Sequence, residues 1–176
     1  MRALQSLLIV VILVGCSDAT APQATEPPNG LDSNLPIVEG TYRIDPHWTV
    51  DLPSKFNQRT EEGSLVLWKP GLTIWMNVWK NDKGETKQAR LDSFIASRSQ
   101  LAYDSKTDSS GNLLRHSYRL AEAADDTREP AFYGFAIGDS GHVQLAVYYN
   151  NPDGNEVAQQ ILSNVAEQKS SVNTRQ

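Results

Sequence analysis

The sequence predicts an α+β fold: an antiparallel β-sheet with two helices packed on it. Three observations carry this expectation. Short runs rich in β-branched and aromatic residues follow one another across Pro, Gly, Asn and Asp turns, the pattern of hairpins rather than crossovers. The apolar period then changes from two to 3.6 over 86–101, and again after 151. The order of strands, helix, strands, helix lets both helices cover one face of a single sheet.

Taken along the chain, Tyr42-Arg43-Ile44 and Trp48 to Leu52 read as short strands, interrupted by Pro46 and ended by Pro53. Ser64 to Trp68 and Leu72 to Trp79 flank Pro70-Gly71 and form a hairpin. Strict alternation puts Ile74, Met76 and Val78 on one face of the second strand and Trp75 and Trp79 on the other. Leu91, Phe94, Ile95 and Leu101-Ala102 mark one face of a helix over 86–101, with its Lys, Arg and Ser residues outside. The segment from Asp104 to Gly111 reads as a polar loop. Strands are expected at Leu113–Leu120, Ala131–Ile137 and His142–Tyr149, the last two joined by a turn at Gly138-Asp139-Ser140-Gly141. Asn151-Pro152-Asp153-Gly154 opens a final helix whose stripe is Val157, Ile161, Leu162 and Val165. No internal repeat and no second domain is visible.

Trp48 followed by Asp51-Leu52-Pro53 and Phe56, then the strands Leu65 to Trp68 and Ile74 to Trp79, resembles the start of a PsbP-like α/β-sandwich domain. The closing strand Val143 to Tyr149 with its amphipathic helix is similar to the end of that family. The resemblance covers about 41–167 and rests on core hydrophobes. It implies a binding or accessory role, because members of that superfamily share no catalytic motif; fold by itself does not license a function.

Ahead of this domain, Met1-Arg2 is followed by an apolar run from Leu7 to Val14 and then Gly15-Cys16. A charged start, a short apolar core and a small residue before the cut mark a secretory signal peptide over 1–15. The run is shorter than the ~20 residues of a permanent membrane span. Leu13-Val14-Gly15-Cys16 resembles the lipobox of bacterial lipoproteins, which implies lipidation of Cys16 and cleavage before it. Several acyl chains at ~0.8 kcal/mol per buried methylene would make that anchorage permanent. Ser17, rather than aspartate, after the cysteine implies an outer-membrane destination in preference to the inner, on the periplasmic face. The stretch 16–40 carries Pro22, Pro27, Pro28 and Pro36 with no apolar periodicity, and reads as a disordered tether. The expected divisions are thus a signal peptide at 1–15, a lipidated tether at 16–40, the α+β domain at 41–168 and a polar tail at 169–176.

Composition excludes several function classes. The net charge is −5, one unit more negative without the leader, and no Lys/Arg cluster exists, which argues against nucleic acid. Cys16 is the single cysteine, so no intramolecular disulfide and no thiolate metal cluster can form. His47, His116 and His142 stand far apart without metal spacing and read as packed or rim histidines. No Gly-x-Ser-x-Gly elbow or phosphate loop occurs, and Ser140 reads as a turn residue. Asp104, Asp108 and Asn112, with Ser105, Ser109 and Ser110, are oxygen-rich but lack the EF-hand pattern, so a solvated segment is expected rather than a calcium site. No catalytic residue, metal site or cofactor is expected.

The aromatics carry the one lead. Trp68, Trp75 and Trp79 fall together if their strands pair across Pro70-Gly71, on the face opposite Ile74, Met76 and Val78. An aromatic second face suits a binding surface. The same alternation also admits the reverse, with the tryptophans in the helix-covered core, or loops wrapped over them. The expectation is a lipid-anchored, non-enzymatic module that captures a protein partner, of assembly-accessory or toxin-immunity type. A small-ligand-binding lipoprotein is the alternative, and an envelope hydrolase comes behind both.

Overall fold

The computed structural model describes residues 30–121 and 129–168; the signal peptide, Cys16, the tether up to residue 29 and the tail 169–176 lie outside the described residues. Nine strands and two helices occur among them: β1 (Ile37–Arg43), β2 (Trp48–Glu61), β3 (Ser64–Lys69), β4 (Leu72–Lys80), α1 (Lys87–Ser97), β5 (Tyr103–Ser110), β6 (Leu113–Leu120), β7 (Ala131–Ile137), β8 (Gly141–Tyr149), α2 (Asp153–Asn164) and β9 (Val165–Glu167). They form one sheet in the order β1-β2-β3-β4-β8-β7-β6-β5, with β9 added to β2, and every pairing is antiparallel. This is the expected α+β class, an antiparallel sheet carrying two helices.

The helices lie on opposite faces, not on one as expected. α2 packs on β2, β7 and β8, over a core that includes Trp48, Phe56, Ile74, Met76, Phe132, Val143, Leu145, Val147, Ile161 and Leu162. α1 packs on β6 and β7, where Leu91 and Phe94 meet Tyr118, Phe135 and Ile137. The residues of β7 explain the difference: Phe132 and Ala136 face α2 while Phe135 and Ile137 face α1, and all four are buried. A strand apolar on both faces needs a cover on each.

Three further expectations are corrected. β2 does not stop at Pro53 but runs on to Glu61, fourteen residues in all. Its pairing with β1 jumps from Gly40↔Leu52 to Val38↔Phe56, so Pro53 falls in a bulge where no ladder N–H is needed. The expected loop at Asp104 to Gly111 is the edge strand β5, exposed along its whole length. Polar and charged residues on both sides of an edge hide its strand character and discourage pairing with other chains. Val165 leaves the helical stripe and begins β9, which pairs Trp48, Thr49 and Val50 of β2.

Ordered structure also starts before the expected boundary at 41. Leu31 is buried, and Asp32 exchanges two hydrogen bonds with the side chain of Asn57, its N–H donating to Oδ1 at 2.8 Å and its carbonyl accepting from Nδ2 at 2.8 Å. Asn57 is itself buried on β2. At Gly30 an added Cβ would stand 2.4 Å from Cγ of Pro70, so the entering chain lies against the β3–β4 turn. Asn57→Ala should therefore cost about 1–3 kcal/mol through its unpaired backbone partners. Deleting residues up to 34 should cost a similar amount, and the two changes together little more than either. Urea midpoints of the four proteins check this; full additivity would mean that Asn57 does not hold the segment.

Candidate functional site

The face of the sheet that bears α1 is only partly covered. α1 has 11 residues, about 16 Å of helix, and it sits over β6 and β7. Beside it, α1 reaches β8 at His142 through Phe94, and no packing of either helix on that face of β3 and β4 stands out among the described residues. Residues of β4 alternate across the sheet: Ile74 and Met76 are buried under α2, while Trp75 is half-buried and Trp79 is 55% exposed on the other side. The tryptophans are thus on the face opposite the α2 core.

The three tryptophans share that face without forming one cluster. Trp68 pairs with Thr73 and Asn57 across its neighbouring strands, and the Arg59 guanidinium lies 4.9 Å above its ring. Trp75 stands between Val66 of β3 and Ala146 of β8. Trp79 is a further four residues along, roughly 13 Å away at strand rise, with Asn77 between them; the Asn77 Oδ1 accepts from Ser64 Oγ at 2.8 Å. No ring stacking joins the tryptophans among the described residues. Trp79 stacks instead on His142, its partner on β8, with centroids 6.4 Å apart and planes 14° apart.

His142 is the hinge between this face and the corner where β4 meets α1. Phe94 meets its ring edge-on at 4.8 Å. Arg90, one turn earlier on α1, is buried and donates from Nη2 to the carbonyl of Gly138. That turn is held from the opposite side of the molecule by Glu167 of β9. Its carboxylate accepts from the N–H of Asp139 at 3.0 Å, the N–H of Ser140 at 2.6 Å and the Asn112 amide at 3.1 Å. A Cβ at position 138 would stand 2.2 Å from Oε2 of Glu167, so only glycine allows this approach. Lys87 adds an ion pair to Asp139 at 3.0 Å and a hydrogen bond to the Asn112 carbonyl at 2.7 Å. The loop between β4 and α1 is shaped by Asn81, which bonds both the N–H and the carbonyl of Glu85.

The remaining candidates stay apart. His47 lies in the β1–β2 turn, its N–H on Asp45. His116 is buried beneath α1, with Nδ1 2.9 Å from Thr107 Oγ1. Ser140 Oγ and His142 Nδ1 are each without a hydrogen-bond partner, so they form no nucleophile–base pair. Asp104 and Asp108 lie along β5, with Asp104 3.8 Å from Arg119. No group of three or more His, Cys, Asp or Glu placed to hold a metal occurs among the described residues. Cys16 lies outside them.

Arg90, Glu167 and Arg115 were not expected to matter, and α1's arginines were placed outside. One signal was available: Arg90 and Phe94 are four apart and share a helix face with Leu91. No family model matches the sequence, and no curated protein resembles it significantly.

Burial, and second the charge of Arg90, hold His142 down at about 4, so it is neutral at pH 7. Burial also lowers His116, assisted by Arg98 and opposed by a hydrogen bond to the Lys106 backbone. A depressed histidine leaves the unfolded chain binding more protons. Its contribution is fully present above the usual 6.5 and is lost as pH falls from there toward about 4 for His142. His142→Gln should flatten this part of the stability curve. Urea midpoints between pH 7 and 4 check it, and parallel curves for the two proteins would refute it.

Proposed function

We propose that the chain is a lipid-anchored protein of the bacterial envelope, facing the periplasm, that acts as a non-catalytic protein-binding module. The assembly-accessory and toxin-immunity types both suit it, and the PsbP-like reading of the fold is consistent with them, since Trp48, Leu52 and Phe56 of the resembling segment lie in the core. The observation that carries the proposal is the 55% exposed Trp79 at the open end of the α1 face. A tryptophan left in water and stacked on a neutral histidine is the composition of an interaction hot spot.

The tether supports the same reading. Gly30 enters beside Pro70, at the β3–β4 turn, and β4 runs nine residues from there to Lys80. Trp79 is thus about 23 Å from the entry end at strand rise. From Cys16 to Gly30 the chain can reach at most about 50 Å, enough to hold the domain clear of the headgroups. Lipidation of Cys16 is the companion proposal: Cys16→Ser should abolish acyl labelling and release the protein from the membrane fraction, whereas unchanged labelling would refute it.

Trp79→Ala should cost less than about 1 kcal/mol of stability, whereas Trp48→Ala, 1% exposed in the core, should cost about 3–5 kcal/mol. Pull-downs from detergent-solubilised envelopes should recover a specific partner with the wild type and lose it with Trp79→Ala. A large drop in the melting temperature of Trp79→Ala, or undiminished capture, would sink the proposed surface.

A further inference from the structure

Arg90 is 6% exposed and uses only one of its guanidinium nitrogens. Nε and Nη1, which together carry three N–H groups, have no acceptor. Glu167, Glu85 and Asp139 act on it through space, but two of these carboxylates are engaged elsewhere: Glu167 on the turn amides and Asp139 on Lys87. A buried cation with unpaired donors is a state that native proteins avoid unless something fills it.

Arg90 lines a cleft of about 260 Å³ between the β4–α1 loop and β8. Phe94 and His142 give it an aromatic wall, with Trp79 stacked behind His142. Exposed Lys80 and Lys83 contribute positive charge, and Ser93 of α1 stands on its border. Drug-sized pockets run to roughly 300–1,000 Å³, so this one suits a smaller guest. Asp82 and Glu85 also lie around it, which disfavours a doubly charged head such as phosphate and leaves room for a single negative charge.

We propose that this cleft binds a small organic monoanion, a carboxylate on a flat apolar body, with the carboxylate received by Arg90 and the body laid against Phe94 and His142. The cleft adjoins the partner-binding surface at His142, and its test varies Arg90 and Ser93, which that surface does not include. Benzoate is the probe, titrated into the detergent-solubilised full-length protein, with benzamide as its neutral isostere. Benzoate should give a saturable change in tryptophan emission, through the Trp79–His142 stack, and a rise in melting temperature; benzamide should give neither.

Arg90→Gln should weaken benzoate at least tenfold. Ser93→Glu, a change at an exposed helix position that puts a carboxylate at the border, should do the same without disturbing the fold, and it decides the matter if Arg90→Gln fails to fold. Equal responses to benzoate and benzamide, no saturable response to benzoate, or unchanged benzoate affinity in Ser93→Glu would overturn the proposal.

Discussion

The guanidinium of Arg115 is the point on which the end of α2 turns into β9 and closes onto β2. It projects from β6 into the α2 side of the sheet, 8% exposed, where the last turn of α2 leaves its carbonyls without helical partners. Nε donates to the Leu162 carbonyl at 3.1 Å, and Nη2 to those of Ser163 at 3.1 Å and Val165 at 2.9 Å. A cation at a helix C-terminus also meets the negative end of the helix dipole. One side chain thus ends the helix, turns the chain and delivers β9 to the edge of β2. Two residues beyond Val165, Glu167 reaches the β7–β8 turn, whose Gly138 carbonyl is taken from the other side by Arg90. The two helices sit on opposite faces of the sheet, and Arg90 of α1 and Glu167 of the strand that follows α2 hold the same turn.

That arrangement leaves Trp79 exposed at the end of the aromatic strip. α1 is anchored at its start by Thr86, whose Oγ1 accepts from the N–H of Ala89 at 3.1 Å, and at Gly138 through Arg90. It therefore lies over β6 and β7 and does not extend across β4. Trp79 and His142 remain at the boundary between the covered and uncovered parts of the face. The proposed partner surface and the proposed anion cleft are both consequences of where this short helix stops.

Much of the fold was legible in the sequence where burial is one-sided. β6 and β7 have the bounds expected of them, and the alternation in β4 correctly separates Ile74 and Met76 from Trp75 and Trp79. The pattern was silent where both faces of a strand meet the same medium. β5 is polar throughout because both sides face water; β7 is apolar throughout because both sides face a helix, and that run was the available clue that α1 and α2 are on different faces. Buried charges were the other blind spot. Arg90 and Arg115 look like surface residues in sequence, and their partners are carbonyls from residues 47 to 50 positions away that no local spacing reveals.

The role of Arg115 is the central claim, and hydrogen exchange of the backbone amides of β9, read beside urea unfolding of Arg115→Met, tests it most directly. Methionine keeps much of the buried apolar stem while removing the guanidinium from the carbonyls of Leu162, Ser163 and Val165, of which Leu162 keeps the Val165 N–H. The account predicts a loss of about 3 kcal/mol or more together with selective loss of protection at Val165, Ala166 and Glu167. A loss under about 1 kcal/mol, with β9 as protected as in the wild type, would contradict it.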